Sequence, residues 1–234
     1  YVNTRNNNVD GNHTNDTLHF TGYSCDSLLH GNYTVGGINP DFLDMQDVKA
    51  SLSYCGIDGP VTFNLRPGTY QDFDFTENYI GMSNTNTVTF NGTNVDSVFV
   101  INNHTDAGTN LFGAVTLVHV KNFHFSNLTL TGNNTAVTRG VVVRGDGSSD
   151  IVFSGCHINA YTTNSTATTS CAVCRTVAAT AVPDTITFTN CNITGGNFGI
   201  YYYGSSSRKN NITIQGCNIN SLYRDIYTYY CNPL

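Results

Sequence analysis

Three stretches of the chain repeat one alternation of apolar and polar positions: "IVFSGCHIN" at 151–159, "ITFTNCNIT" at 186–194 and "ITIQGCNIN" at 212–220. In the second of these, Ile186 and Phe188 stand two apart, a Thr189-Asn190 break follows, and Cys191 and Ile193 stand two apart again. Spacing by two is the period of a β-strand, whose successive side chains point to opposite faces. Each break holds Gly155, Asn190 or Gly216, residue types that tolerate the left-handed backbone of a sharp corner. The pattern therefore predicts strand, corner, strand. Two weaker copies precede these, "FHFSNLTLT" at 123–131 with Leu128 in the Cys slot and "VTFNGTNVD" at 88–96 with Thr93 there.

The five copies begin at residues 88, 123, 151, 186 and 212, with spacings of 35, 28, 35 and 26. A period in this range signals stacked supersecondary units. A further strand pattern recurs between copies, in "RGVVVRG" at 139–145, "FGIYYYG" at 198–204 and "RDIYTYY" at 224–230. Leucine-rich repeats would need Leu-dominated spacing and a helix per turn, and propeller blades would need four strands each. The expected fold is all-β: a single-stranded, right-handed parallel β-helix of about six or seven coils. Equivalent residues would then stack about 4.8 Å apart. Leu128, Cys156, Cys191 and Cys217 should form one inward column, and Phe90, Phe125, Phe153 and Phe188, continued by Ile214, another. The Cys column is either packing, because a buried free Cys behaves as a small hydrophobe, or a set of disulfides between neighbouring coils.

Residues 1–22 are polar, Asn-rich and without an apolar period, which predicts an arm ahead of a β-helix domain at 23–234. Within "NPDFLDMQDVKASLSYCG" at 39–56, Phe42, Met45, Val48 and Leu52 recur at spacings of three and four, predicting a helix over about 40–53. A helix there would cover the strand edges of the first coil, which "GPVTFNLRPGTYQDFDF" at 59–75 supplies. The run from Tyr33 to Tyr70, and above all its Pro67-Gly68-Thr69-Tyr70 turn, resembles the amino-terminal cap and first coil of pectin-lyase-like right-handed β-helix proteins, particularly large secreted surface proteins of that superfamily. The resemblance implies the fold and leaves the activity open, since the superfamily includes lyases, hydrolases, adhesins and structural proteins.

Charge narrows the partners. A formal charge of -6 with 11% charged residues leaves no basic stripe for nucleic acid, and no apolar run approaches the about 18 residues of a membrane span. Eight Cys, an even count, suit an oxidising compartment. Cys25 and Cys55 flank the helix and are the best pair; Cys171 and Cys174 form a lone "CAVC" that lacks the second pair of a zinc site; Cys231 completes the set. Ten Asn-x-Thr triplets, at Asn12, Asn15, Asn32, Asn91, Asn103, Asn127, Asn133, Asn164, Asn192 and Asn211, are candidates for N-glycans. Together these features point to a secreted or cell-surface chain.

Candidate chemistry is sparse. The Asn-Thr-Asp, Asp-Asp and Gly-His-Gly segments of polygalacturonase-like hydrolases are missing, and a single Glu with scattered Asp gives no local Ca²⁺ set for a pectate-lyase-like reaction. Asp72 and Asp74 alternate with Phe73 and Phe75 and should face outward about 7 Å apart, as a solvated face or as a carboxylate pair. "RGDGSSD" at 144–150 suits a tight turn. His124, between Phe123 and Phe125, should point to solvent in line with Val152, Thr187 and Thr213. Tyr201 should stack near Tyr227 and Tyr203 near Tyr229 on the outer face, for a sugar, a protein partner or local pairing. The leading expectation is a non-catalytic structural glycoprotein, a rigid module that self-associates or joins other extracellular subunits through its last coil and polar arm, with no cofactor. The competing expectation is a polysaccharide-acting enzyme, lyase or glycoside hydrolase, or a carbohydrate-binding relative, with Ca²⁺ needed only by the lyase.

Overall fold

The computed structural model describes residues 25, 27–104, 111–133, 139–144, 148–161, 167–175, 185–203, 210–229, 231 and 232. The expected arm, the candidate sites Asn12, Asn15 and Asn164, and Asp146 of the Arg-Gly-Asp tripeptide lie outside these residues. The described chain forms a right-handed parallel β-helix of about six turns with one short helix.

Three parallel sheets run the length of the coil. The first has eight strands: Leu29–Val35, Ile57–Leu65, Val88–Gly92, Phe123–Ser126, Ile151–Ser154, Thr185–Thr189, Asn210–Gln215 and Cys231–Asn232. The second stacks Gly68–Gln71, Val98–Asn102, Thr129–Gly132, His157–Asn159, Asn192–Thr194 and Asn218–Asn220. The third stacks Phe73–Phe75, Gly113–Val118, Arg139–Arg144, Cys171–Arg175, Phe198–Tyr203 and Arg224–Tyr229. The chain visits the sheets in that order on every turn.

Register in the first sheet pairs Tyr33 with Phe63, Phe63 with Phe90, Phe90 with Phe125, Phe125 with Phe153, Phe153 with Phe188 and Phe188 with Ile214. The predicted Phe column is therefore present, and it begins earlier, at Tyr33 and Phe63. Its rings stack at centroid separations of 4.9 Å for Phe125–Phe153 and 5.2 Å for Phe153–Phe188, with interplanar angles of 13° and 9°. Beside it, Leu128, Cys156 and Cys191 are buried and Cys217 is half-buried. Cys156, Cys191 and Cys217 are free thiols, and each donates to the carbonyl of a Phe one coil earlier: Phe125 at 3.5 Å, Phe153 at 3.5 Å and Phe188 at 3.4 Å. Of the two readings of this column, packing holds in the structure. The corners take the left-handed conformation at Asn127, Gly155, Asn190 and Gly216.

Two boundaries differ from expectation. The helix runs from Met45 to Cys55, because Asp44 caps it by accepting from the amides of Gln46 and Asp47 at 2.8 and 3.1 Å. Asp41 instead accepts from the Thr34 amide and hydroxyl at 2.7 and 2.8 Å, drawing the Pro40 segment into a turn against the first strand. In the copy at 88–96 the second strand starts later, at Val98, since a turn at Asn94 leaves Thr93 exposed. Met45, Val48 and Leu52 join the core of the coil, so the helix closes its first end. At the other end, Ile226 is 47% exposed, whereas Ile200, its partner one coil back, is fully buried.

Tyr79 fastens the helix to the coil. It is buried, lies edge-on to Phe123 at 6.2 Å and hydrogen-bonds Ser53 of the helix. Burial, with the charges of Glu77 and Asp74, pushes its phenol up from 10.0 to about 12.

Two outcomes test this account. Phe153→Ala should cost about 3–5 kcal/mol in chemical denaturation, whereas outward Thr187→Ala should stay within about 0.5 kcal/mol. Because the fold holds Tyr79 neutral, its stabilising effect is complete below pH 10 and is lost as pH rises towards about 12. Denaturation midpoints measured across that window should fall, and Tyr79→Phe should flatten the decline.

Candidate functional site

A cleft of about 590 Å³ opens where the helix meets the first coil. Its lining includes Asp44 and Lys49 from the helix, Gln71, Asp72 and Asp74 from the first coil, and His104 from the second. The size is that of small-ligand pockets. Local structure sets each wall. Gly36, at φ 71°, lets the Tyr70 ring lie against the backbone; a Cβ there would sit 2.6 Å from the Tyr70 hydroxyl, whose one proton is shared between the carbonyls of Val35 and Arg66 at 2.9 and 2.8 Å. Tyr70 thus locks the Pro67-Gly68-Thr69-Tyr70 turn that floors the cleft, and burial raises its phenol.

Asp72 stands at the corner between the second-sheet strand Gly68–Gln71 and the third-sheet strand Phe73–Phe75. Its side chain is 8% exposed and Oδ2 lies 3.4 Å from Nε2 of His104, which is 48% exposed. The solvated-face reading of Asp72 is corrected accordingly. Phe73 and Phe75 are fully buried, as alternation requires, and Asp74 points away from the core between them. Its Oδ1 is closed to solvent and has no hydrogen-bond partner among the described residues. Sequence reasoning flagged the two carboxylates and missed His104, whose partner lies one coil away. The signal was available in the register: Gln71 pairs with Ile101, which brings Asp72 beside Asn102 and places His104 two residues on.

The tyrosine face has the expected stacking. Tyr201 and Tyr227 lie 5.2 Å apart at 6°, and Tyr203 and Tyr229 lie 5.1 Å apart at 26°. Arg224 sits 5.0 and 5.5 Å from the rings of Tyr223 and Tyr227. Rings stacked on one another cover the faces that a sugar would need and leave mainly edges outward, which favours local pairing. Next to them, Leu111, Val142, Cys171, Cys174 and Phe198 form a second apolar cluster on the outer side of the third sheet. None of its members lines the cleft, so the cleft is a pocket at the helix end and not a groove along the sheet.

The remaining candidates are dispersed. Cys25 is disulfide-bonded to Cys55, and Cys171 to Cys174 inside a third-sheet strand. Cys231 is half-buried. His124 is half-exposed in line with Val152, and burial lowers it. Asn91 is half-buried in a side-chain ladder: it donates to Asn64 at 3.0 Å and accepts from Asn127 at 3.1 Å. Asn133 donates to Asn103 at 2.9 Å, and Asn218 to Asn192 at 3.2 Å. Asn32 is exposed on the first strand and Asn211 is half-buried. Among the described residues no three His, Cys, Asp or Glu side chains converge to hold a metal ion, and no helix is long and apolar enough to cross a membrane.

No protein-family model matches the sequence, and no curated protein matches it. Solved structures do. A pectin methylesterase in complex with hexasaccharide VII shares 13% identity at a TM-score of 0.49 over 81% of this chain and 66% of that one. Pectin methylesterase PemA from Erwinia chrysanthemi shares 12% at 0.49 over 86% and 67%, and that from carrot 14% at 0.48 over 84% and 65%. The right-handed parallel β-helix is seen in the described residues themselves. This chain spans about two thirds of the length of those proteins. Against the expectations of a non-catalytic structural glycoprotein and of a chain that is not an enzyme, the structures named are those of pectin methylesterases, and both expectations are corrected on that finding. The physical reason is that the missing segments spoke against two reactions only, while local spacing could not see the contact between Asp72 and His104.

If the tyrosine stack is local pairing, a double-mutant cycle on Tyr201→Ala and Tyr227→Ala should give a coupling of about 0.5–1.5 kcal/mol in unfolding free energy. A coupling near zero would refute it.

Proposed function

We propose that the chain is a secreted carbohydrate-active enzyme that hydrolyses a bond in a polysaccharide at the cleft between helix and first coil. One observation carries this reading. The 3.4 Å contact of Asp72 with His104 joins residues far apart in sequence, beside Asp74, in a pocket of about 590 Å³. Hydrolysis of this kind uses two carboxyl groups: one takes a proton from water as its oxygen bonds to the reacting carbon, and the other gives a proton to the departing oxygen. Asp72, held by His104, and Asp74 supply that pair, and Gln71 and Lys49 on the same lining orient the chain. A hydrolase is favoured over a lyase because the described residues gather no acidic set for Ca²⁺. The Cys25–Cys55 disulfide supports the secreted location.

Activity screening against plant, algal and microbial polysaccharides, by release of reducing ends, tests the reading. The wild-type chain should turn over at least one of them, and Asp72→Asn should lower kcat by about 10²–10⁴-fold. Turnover that survives Asp72→Asn unchanged, or no turnover on any polysaccharide, would sink it.

A further inference from the structure

The charges around the cleft bear on what it accepts. Three carboxylates line it, Asp44, Asp72 and Asp74, against Lys49 and His104. Asp44 is committed to the helix, where its Oδ1 holds the amides of Gln46 and Asp47. Asp72 is turned to His104. Asp74 is different: Oδ1 receives no hydrogen bond among the described residues, so this carboxylate has acceptor capacity that the protein does not use. The same carboxylate is part of the cleft's lining, so an incoming donor meets it there. Arg66, on the neighbouring turn, donates to the Ile38 carbonyl and is not part of the lining. The chain as a whole carries -6.

We infer that the cleft selects a non-anionic glycan, one whose hydroxyls donate to Asp74, and rejects polyuronates. This rests on the reading of the cleft as a carbohydrate site and adds the charge class of its ligand. A uronate carries an ionised carboxylate on every ring, an acceptor with nothing to donate. Set against Asp74 it leaves both acceptors unmatched and brings like charges together, which is how sites discriminate against a partner. A sugar hydroxyl in the same place makes a charge-assisted hydrogen bond. Lys49 alone does not reverse the balance.

The test is calorimetric titration of the full chain with neutral gluco-, xylo- and manno-oligosaccharides and with oligogalacturonates, at low and at physiological salt. At least one neutral oligosaccharide should bind with an affinity that salt leaves unchanged, and oligogalacturonates should not bind. The isosteric Asp74→Asn variant should weaken the neutral ligand by about tenfold. The salt dependence of the wild-type chain gives an answer even if that variant does not fold. Oligogalacturonate binding as tight as the neutral ligand, strengthening as salt falls, overturns the inference, and so does an absence of binding throughout. Turnover of galacturonan that depends on Asp72 would keep the enzyme reading and sink this one. Neutral binding without turnover on any polysaccharide would do the reverse.

Discussion

Vertical register is the constraint on which the rest depends. Each coil hydrogen-bonds to the coils above and below through three parallel ladders, so a residue's environment is set by the residue one turn away. Parallel strands buried on the inside accept only apolar columns, and the Phe stack and thiol column fill that space. The thiols show how tight the arrangement is, since each reaches the carbonyl of a Phe in the preceding coil. The same register leaves strand edges open at the first coil, and the helix, fastened by Tyr79 and by the Cys25–Cys55 bond, closes them.

The cleft is a by-product of that closure. A helix laid across the end of a coil cannot match its outline everywhere, and the gap falls beside the corner where Asp72 leaves the second sheet. Side chains from successive coils then meet at a point that no stretch of sequence contains. The apolar cluster of Leu111, Val142, Cys171, Cys174 and Phe198 occupies the outer face of the third sheet further along. Scaffold and site are therefore separable: the inward columns hold the coil, while outward residues beside the helix line the cleft.

Much of this was legible in the chain itself, and what was not has a common cause. The inward columns, the left-handed corners and the Tyr201–Tyr227 and Tyr203–Tyr229 stacks follow from spacing by two and from Asn or Gly at the break. The strand Cys171–Arg175 was hidden because it is buried on both faces, so alternation is lost and "CAVC" looks like a cysteine motif. The helix start was displaced because Asp41 and Asp44 are equally good caps in sequence, and Thr34, on the preceding strand, claims the first. The pairing of Asp72 with His104 escaped for a related reason. It is a contact between coils, and a search by local spacing sees only contacts along the chain.

The connections between strands differ in how far they vary. The corner from first to second sheet is two residues long at Asn127-Leu128, Gly155-Cys156, Asn190-Cys191 and Gly216-Cys217, and its second residue is an inward one. The step from second to third sheet ranges from the single residue Asp72 to the span between Asn159 and Cys171, and the span between Asn102 and Gly113 carries His104. Differences in the length of that second step leave the register of the Phe column in the first sheet unchanged. New reactive groups can thus be brought beside Asp72 by lengthening one loop, while the two-residue corner keeps the coils in step.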